Sequence, residues 1–259
     1  MNARPQHLWL YSASSLLLFF GLWQGAVSAG LVSNFVLPSP IKVANRIAVL
    51  MTRPFAGFLL YQHLLSSFGR FFGGFALAAV IGIPLGLLMG RFRLLDEIVT
   101  PLFESYRYVA PLAWVPFAAL WFGTGMGGPI LVIFTGAFAP CVINAYRGAR
   151  LVDAHLIEAA QTHGASEFRI VREVLLPGAL PSIVAGLRIA AGLGWQSLIG
   201  AELIVVSSGI GYVLVQGQSN LSPSTVMSAM VMIGLTGIAL DWALRAAEVR
   251  VSAKWGGAR

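Results

Sequence analysis

Charged side chains are scarce in this sequence of 259 residues, where Asp, Glu, Lys and Arg make up 10% of the chain. Soluble domains carry about 25%. Hydrophobic residues make up 57%, and the mean hydropathy is +0.79. So few charges exclude an ordinary soluble globular protein, and the composition predicts an integral membrane protein.

Residues that support common catalytic chemistry are also few. The single cysteine, Cys141, excludes an intrachain disulfide, and the four histidines form no H-E-x-x-H or Cys/His cluster, so a metal site is unsupported. The lysines are Lys42 and Lys254, and neither follows a glycine, so the G-x-x-x-x-G-K-[ST] phosphate loop is lacking. The chain is therefore predicted not to be an enzyme and to hold no cofactor. Any ATP hydrolysis must belong to another polypeptide.

Long apolar runs dominate what is present. About six runs approach the roughly 20 residues that a helix needs to cross a bilayer core. They lie near residues 8–28, 68–90, 102–122, 128–147, 182–206 and 224–244. Because lipid-exposed backbone must form its hydrogen bonds internally, such runs predict helices. We expect an all-α integral membrane protein, with about six transmembrane helices in one bundle and a single domain over residues 1–259.

The first run, at residues 8–28, has a second interpretation. Arg4 before it and Val27-Ser28-Ala29 at its end suit a cleaved signal peptide. The run is longer than a usual signal core, which favours a retained accessory span.

Lysine and arginine accumulate on the cytoplasmic side of membrane proteins. With both termini in the cytoplasm, far more basic residues fall inside than outside. The predicted inner set is Arg4, Arg91, Arg93, Arg147, Arg150, Arg169, Arg172, Arg245, Arg250, Lys254 and Arg259, and the outer set is Lys42, Arg46, Arg53 and Arg70.

Between the first two runs, a proline-rich entry at residues 34–40 leads into a segment of helical period. Its apolar positions are Ile41, Ala44, Ile47, Ala48 and Met51, opposite Lys42, Asn45 and Arg46. The pattern predicts an amphipathic helix on the outer surface. It serves either as a bilayer anchor or as a contact for an extracytoplasmic partner.

Small residues recur every fourth position in the second run, at Gly74, Ala78, Gly82, Gly86 and Gly90. Such a ladder lets another helix approach closely. The expected contact lies within one subunit, with a dimer contact as the alternative.

The third run contains two closely spaced prolines in Ala110-Pro-Leu-Ala-Trp-Val-Pro116, which predict an irregular helix. Irregular backbone at membrane depth is tolerated where it lines a cavity or is buried in protein. We therefore expect a pathway wall here, with Trp114 as either a pathway or a core residue. Glu104 and Arg107, three residues apart, are placed to pair at its start.

Ionisable groups inside the fifth run are functional candidates. Glu202 lies 14 residues after Arg188, roughly 21 Å along a helix, so the two cannot pair. Glu202 therefore needs another helix, water, a partner chain or a substrate cation. In the last run, Asp241 and Arg245 have the spacing of a local ion pair.

A mostly polar segment at residues 151–177 separates the fourth and fifth runs. Glu158-Ala-Ala-Gln-Thr-His-Gly164 predicts a helix closed by Gly164, followed by a second short helix from Glu167 that ends at Pro177. Two compact helices on the cytoplasmic side would offer a docking surface to a soluble partner.

The E-A-A-x3-G spacing, followed by Val174 and Leu176-Pro177, resembles the cytoplasmic EAA loop of ABC-importer permeases. From Leu37 onward the chain is similar to permeases of the nitrate, taurine and sulfonate group. The matching stretches include NFVLPSP, HLLSSFGRFFGGFALAAVIGIPLGLLMG, YRYVAPLAWVPFAALWFG, GLGWQSLIGAELI and GIGYVLVQGQ. YRYVAPLAWVP and GLGWQSLIGAELI are most similar to taurine-type permeases. The stretch SPSTV, after Ser219, differs from that group, whose members commonly have an acidic residue at this place before the sixth span.

The resemblance implies a homodimer in the bacterial inner membrane, two cytoplasmic ATPase subunits that hold ATP and Mg, and a periplasmic binding protein. It implies import of taurine or an alkanesulfonate by alternating access through a core bundle at residues 68–244. Nitrate, an aromatic acid or a vitamin precursor is the alternative cargo, and an ion-coupled secondary transporter is the alternative mechanism. The implied ATPase-coupling residues are Glu158, Ala159, Ala160, His163, Gly164, Leu176 and Pro177. The predicted pathway residues are Arg107, Trp114, Trp195, Gln196 and Glu202, and Lys42 and Arg46 are the predicted binding-protein contacts.

Overall fold

The computed structural model describes residues 8–255, which form helices joined by short connections. The helices are α1 (Leu8–Ser28), α2 (Pro40–Thr52), α3 (Leu60–Arg91), α4 (Arg93–Arg107), α5 (Val115–Phe122), α6 (Gly127–Arg150), α7 (Ala154–Thr162), α8 (Glu167–Ile170), α9 (Leu176–Glu202), α10 (Ile210–Ser219) and α11 (Pro223–Trp255). The all-α prediction is confirmed. Arg4 and Arg259, used above to orient the chain, lie outside the described residues.

Within residues 8–255, four helices are long and apolar enough to cross a membrane. They are Leu60–Arg91, Gly127–Arg150, Glu167–Glu202 and Pro223–Val251. Ala13–Ser28 and Pro111–Phe122 are apolar but shorter. The predicted six apolar runs thus correspond to four full-length helices and two short ones.

The run at residues 102–122 is broken, as its prolines predicted. α4 ends at Arg107, a 3-10 turn spans Pro111–Trp114, and α5 begins at Val115. A proline has no N–H to donate and its ring clashes with the preceding turn, so Pro111 and Pro116 each stand in the first turn of a new helical segment.

The small residues of α3 pack against α6 of the same chain. A Cβ added at Gly74 would lie 2.6 Å from Ile133 Cβ, and one at Gly90 would lie 2.6 Å from Ala149 Cβ. At Gly82 the same atom would lie 2.9 Å from Cys141 Cβ. These separations are shorter than van der Waals contact, so the helices approach closely only because the side chains are absent. The ladder is an internal packing device.

Ionic contacts join α9 to the C-terminal half of α11. Arg188 donates to both carboxylate oxygens of Asp241, at 2.6 and 3.0 Å, and to Glu248 at 3.3 Å. The predicted local pair of Asp241 with Arg245 is therefore wrong. Asp241 pairs with Arg188 of α9 instead, because the guanidinium binds its carboxylate with two parallel hydrogen bonds.

A buried ion pair joins the N-terminal half of α3 to the C-terminal end of α9. Glu202 is fully buried, and Arg70 Nη1 donates to its Oε1 at 2.9 Å. Ser67 Oγ lies 2.8 and 2.9 Å from the two carboxylate oxygens, and Gly211 N donates to Oε2 at 3.0 Å. The partner that Glu202 needed on another helix is thus Arg70.

Side chains of α3 beside Glu202 also accept hydrogen bonds from the start of α10. The first N–H groups of a helix have no partner within it. Here Ile210 N donates to Ser67 Oγ at 2.9 Å, and Gly209 N donates to His63 Nδ1 at 3.1 Å. Gly209 has φ +110°, and a Cβ there would collide with the carboxylate of Glu202. The chain can therefore wrap around Glu202 only with glycine at this position.

We predict that Gly86→Val destabilises the folded chain by more than the about 1–3 kcal/mol typical of an overpacked core. A Cβ at Gly86 would collide with the carbonyl oxygen of Val142, a backbone atom that cannot rotate away. Thermal unfolding in detergent measures the loss. Gly69→Val is the matched control, because Gly69 is in the same helix and has no atom within 4 Å of its Cβ position. Equal losses in both variants would contradict close packing at Gly86.

We also predict that Glu202→Gln and Arg70→Met each destabilise the chain by about 3–5 kcal/mol, because each leaves a buried polar partner uncompensated. The double variant should lose less than the sum of the two single losses. Unfolding of the four proteins completes the cycle. Strictly additive losses would show that the two side chains are not coupled.

Candidate coupling surface and transport cavity

The chain enters α7 through a side-chain cap. Asp153 precedes the helix, and its carboxylate accepts a hydrogen bond from His155 N at 2.9 Å. This bond satisfies one of the unpaired N–H groups at the helix start. The position at which α7 begins is therefore fixed locally.

The end of α7 is closed by Gly164, as predicted. Gly164 has φ +74°, its N–H donates to Gln161 O at 2.9 Å, and Ala165 N donates to Ala160 O at 3.0 Å. This pair of bonds is the Schellman arrangement, which needs a left-handed residue. His163 precedes the glycine, and its Nδ1 donates to Ala159 O at 2.8 Å.

The two faces of α7 differ. Ile157 and Ala160 pack, with Ala165, on a buried cluster that includes Leu87 of α3 and Ala149 of α6. Glu158 and Ala159 are exposed, as is Leu156 at 57%. Ala160, one of the two alanines predicted for docking, thus faces mainly inward, and the exposed face presents Glu158 and Ala159.

The segment after Gly164 does not end at Pro177, so that boundary was predicted wrongly. α8 passes into a widened π-helical turn at Val171–Leu175 and then into α9, giving one helical path from Glu167 to Glu202. Leu176 N bonds to Val171 O, five residues back. A proline in an α-helix clashes with the carbonyl four residues before it, and the wider turn directly precedes Pro177. Leu176 and Pro177 are half-buried in this continuous helix.

An ion pair that the sequence did not predict fixes α8 to α3. Arg91 Nε donates to Glu167 Oε2 at 3.0 Å, and Nη2 donates to Oε1 at 2.9 Å. The pairing is bidentate, the strongest geometry for a guanidinium and a carboxylate. Their separation of 76 residues explains why no local spacing revealed the contact.

A cavity of about 520 Å³ lies where the break after α4 meets α6 and α9. Its polar lining is Tyr106, Arg107, Tyr108, Thr135, Gln196 and Ser197. Arg107 also lines a second cavity of about 570 Å³ between α4 and α6, so it stands between the two. Its Nε donates to Glu104 Oε2 at 2.7 Å, which confirms the predicted pair.

The second cavity contains a polar cluster near the N-terminal end of α4. Asp96 accepts hydrogen bonds from Thr100 at 2.8 Å, Tyr146 at 2.9 Å and Arg150 at 3.0 Å. Burial acts to raise the pKa of the Asp96 carboxyl, but these bonds and the charge of Arg150 outweigh it and lower that pKa below the ordinary value. The carboxylate is therefore charged at neutral pH.

The structure separates the five predicted pathway residues. Arg107 and Gln196 line the same cavity, and the ring of Trp114 lies 6.1 Å from that of Tyr106 in its wall. Trp195 is 5% exposed, packs on Phe68 and Phe71, and donates to a backbone carbonyl of α11. Trp195 and Glu202 thus lie inside the protein, away from the cavity lining.

The two predicted binding-protein contacts also differ. Lys42 is exposed near the start of α2. Arg46 is half-buried, its Nε donates to Thr225 Oγ1 at 2.8 Å, and its guanidinium lies 5.3 Å from the ring centre of Phe55. Arg46 is therefore held by contacts within the chain, whereas Lys42 is exposed.

In the part of the chain that the structure describes, no group of three or more His, Cys, Asp or Glu side chains is placed to hold a metal ion. The structure thus presents a short helix with one exposed face, α7, followed by one long helical path that lines a cavity.

Comparison with known proteins shows that the chain is similar to permease components of transport systems. Residues 82–253 match the family described as the binding-protein-dependent transport system inner membrane component. The taurine transport system permease protein TauC of Escherichia coli (strain K12) is 34% identical over 242 residues, which cover 93% of this chain and 88% of that protein. The bicarbonate transport system permease protein CmpB of Synechococcus elongatus is 35% identical over 240 residues, covering 90% and 85%.

A solved structure of the MetNI methionine ABC transporter in an inward-facing conformation has the same fold. It superposes with a TM-score of 0.67 at 22% identity, covering 74% of this chain and 96% of that one. The family match covers more than half of the sequence and includes α7 and the helices that line the cavity. The chain therefore belongs to the family of inner-membrane permease components of binding-protein-dependent ABC transport systems.

Proposed function

We propose that this chain is the permease of an ATP-powered importer that takes up a small sulfonate-like anion, such as taurine or an alkanesulfonate, by alternating access. The observation that carries the proposal is the path between surface and cavity. The capped helix α7 leads through Gly164 into one helical segment from Glu167 to Glu202, and Gln196 of that segment lines the cavity. A push on α7 is thereby transmitted to the cavity wall.

The ATPase is a separate chain in this proposal. Two ATPase subunits bind ATP and Mg and dock on the exposed face of α7, where Glu158 supplies a charge and Ala159 permits close approach. His163 and Gly164 hold the end of α7, while Leu176 and Pro177 connect it to the membrane. Closure of the ATPase pair tilts the helices around the cavity.

A second copy of the chain completes the pathway. The 520 Å³ cavity is walled by one chain on α6 and α9, and a symmetric partner supplies the opposing wall. A substrate-binding protein delivers the anion from outside, with exposed Lys42 as a contact. The homodimer lies in the bacterial inner membrane with both termini in the cytoplasm, as the distribution of arginines favours.

The lining of the cavity suits a small anion. Arg107 contributes a positive charge, and the exposed side-chain amide of Gln196 offers uncharged N–H donors. A sulfonate has three oxygens that accept from such donors, and guanidinium groups bind oxyanions well. The similarity to TauC supports taurine as the first candidate.

Bicarbonate is the second candidate, favoured by the similarity to CmpB. Like a sulfonate, bicarbonate is a small oxyanion, and it would bind the same arginine, Arg107. Nitrate is a small oxyanion as well, so the positive charge of Arg107 would attract all three anions. Competition between the three anions for uptake distinguishes them.

We predict that Gly164→Val uncouples ATP hydrolysis from transport while the dimer still assembles. Valine at φ +74° strains the cap of α7, and no atom lies within 4 Å of its Cβ position, so the effect comes from backbone conformation. The measurement is substrate-stimulated ATPase turnover of the reconstituted complex, with Glu158→Lys as a second variant that reverses the surface charge.

Gly30→Val is the matched control, because Gly30 also has φ +74° and no atom within 4 Å of its Cβ position, but follows α1 far along the chain from α7. It should retain stimulated turnover. Normal stoichiometry and turnover in both Gly164→Val and Glu158→Lys would reject α7 as the coupling element.

We predict that Arg107→Gln lowers uptake of labelled taurine into proteoliposomes by about tenfold or more, since hydrogen bonds to a charged group contribute about 1.5–3 kcal/mol. Arg93→Gln is the control, because it removes another ion-paired arginine of α4 that does not line the cavity. Both variants are also tested with bicarbonate and methanesulfonate as competitors. Uptake reduced equally by both substitutions would show a general charge effect.

A further inference from the structure

The outer surface of α3 forms one wall of an apolar groove near the cytoplasmic end of the protein. Val80, Pro84 and Leu88 lie two residues from Gly82, Gly86 and Gly90, about 200° around the helix. Because the glycines face α6, this second row faces away from the bundle, and Val80 is 69% exposed. The surface is therefore available to whatever surrounds the protein.

The other wall of the groove comes from α8, the Val171–Leu175 turn and the start of α9. Phe168, Val171 and Leu176 close a volume of about 820 Å³ against α3. The groove runs along α3 from Ala79 to Phe92, about 20 Å of helix. One leaflet of a hydrocarbon core is about 15 Å thick, half of the whole. The groove is thus long enough to span one leaflet and to reach the membrane surface.

The charges lie only at the inner end of this groove. Arg172 and Glu167 line it there, and Glu167 is occupied by Arg91 in the bidentate pair described above. Arg172 is exposed, and no carboxylate among residues 8–255 lies within ion-pair distance of it. An apolar channel one leaflet long, with an unpaired arginine at its interfacial end, complements an acyl chain attached to a negatively charged headgroup.

We propose that this groove is a binding site for an anionic phospholipid, with an acyl chain between α3 and the Val171–Leu175 turn and the phosphate at Arg172. A soluble protein cannot fill it, because the apolar wall continues along a membrane-spanning helix. The bound lipid bridges α3 and the helix that leads out of the coupling surface. It therefore stabilises the position of that segment on the bundle, independently of which solute is transported.

The test uses the full-length chain, purified, delipidated and titrated with phosphatidylglycerol or phosphatidylcholine, with bound lipid counted by native mass spectrometry. The wild-type chain should prefer phosphatidylglycerol. Arg172→Gln should reduce that preference about fivefold, the contribution of one arginine at an anionic surface. Arg169→Gln is the matched control, since it removes a neighbouring arginine that pairs with Glu173 and does not line the groove.

A second pair of variants tests the acyl-chain part of the site. Val80→Trp fills the groove and should weaken the binding of both lipids, whereas Ile81→Trp, on an exposed position outside the groove, should not. Equal loss of preference in Arg172→Gln and Arg169→Gln, or unchanged binding in Val80→Trp, would overturn the proposal. A disulfide between two copies carrying Val80→Cys would also overturn it, by placing a second copy in the groove. None of these measurements depends on transport, so they stand apart from the proposed import function.

Discussion

Close contact between α3 and α6 is the constraint on which the other parts of the structure depend. Glycine at four positions of α3 lets its backbone lie directly on α6, and Gly136 and Gly148 of α6 do the same for α9 on another side. α6 is therefore the common support of both helices. The cavity wall on α9 and the outward groove on α3 are therefore both positioned by their contacts with α6.

Two ion pairs hold α3 to the long helical path that ends at Glu202. Arg91 binds Glu167 where that path begins, and Arg70 binds Glu202 where it finishes. The Arg91–Glu167 pair is partly exposed, so water screens the two charges and the pair contributes modestly to stability. The Arg70–Glu202 pair is buried, and the Glu202 carboxylate also accepts hydrogen bonds from Ser67 and Gly211, so disrupting the pair is costly. The N-terminal end of the path is thus the easier one to move, and it follows α7, the proposed coupling helix.

Local features of the sequence predicted the parts of the structure that depend on local physics. The glycine cap of α7, the break between α4 and α5 and the small-residue face of α3 each follow from spacing within a few turns. Contacts such as Arg70–Glu202, Arg91–Glu167 and Arg188–Asp241 were not predicted, because opposite charges far apart in sequence have many possible partners. The boundary at Pro177 was wrong for a different reason: a widened turn accommodates the proline, and no residue pattern signals that turn.

The electrostatics of the cavity follow from where the charges are neutralised. A carboxylate on the pathway helix would repel an anion, but Glu202 is buried and its charge is offset by Arg70 within the bundle. Arg107 faces the cavity and shares its charge with Glu104, and both side chains are partly exposed. In the proposed function, an arriving anion must compete with Glu104 for the guanidinium. Binding is then strong enough for entry and weak enough for release, which a transport pathway requires at each site along it.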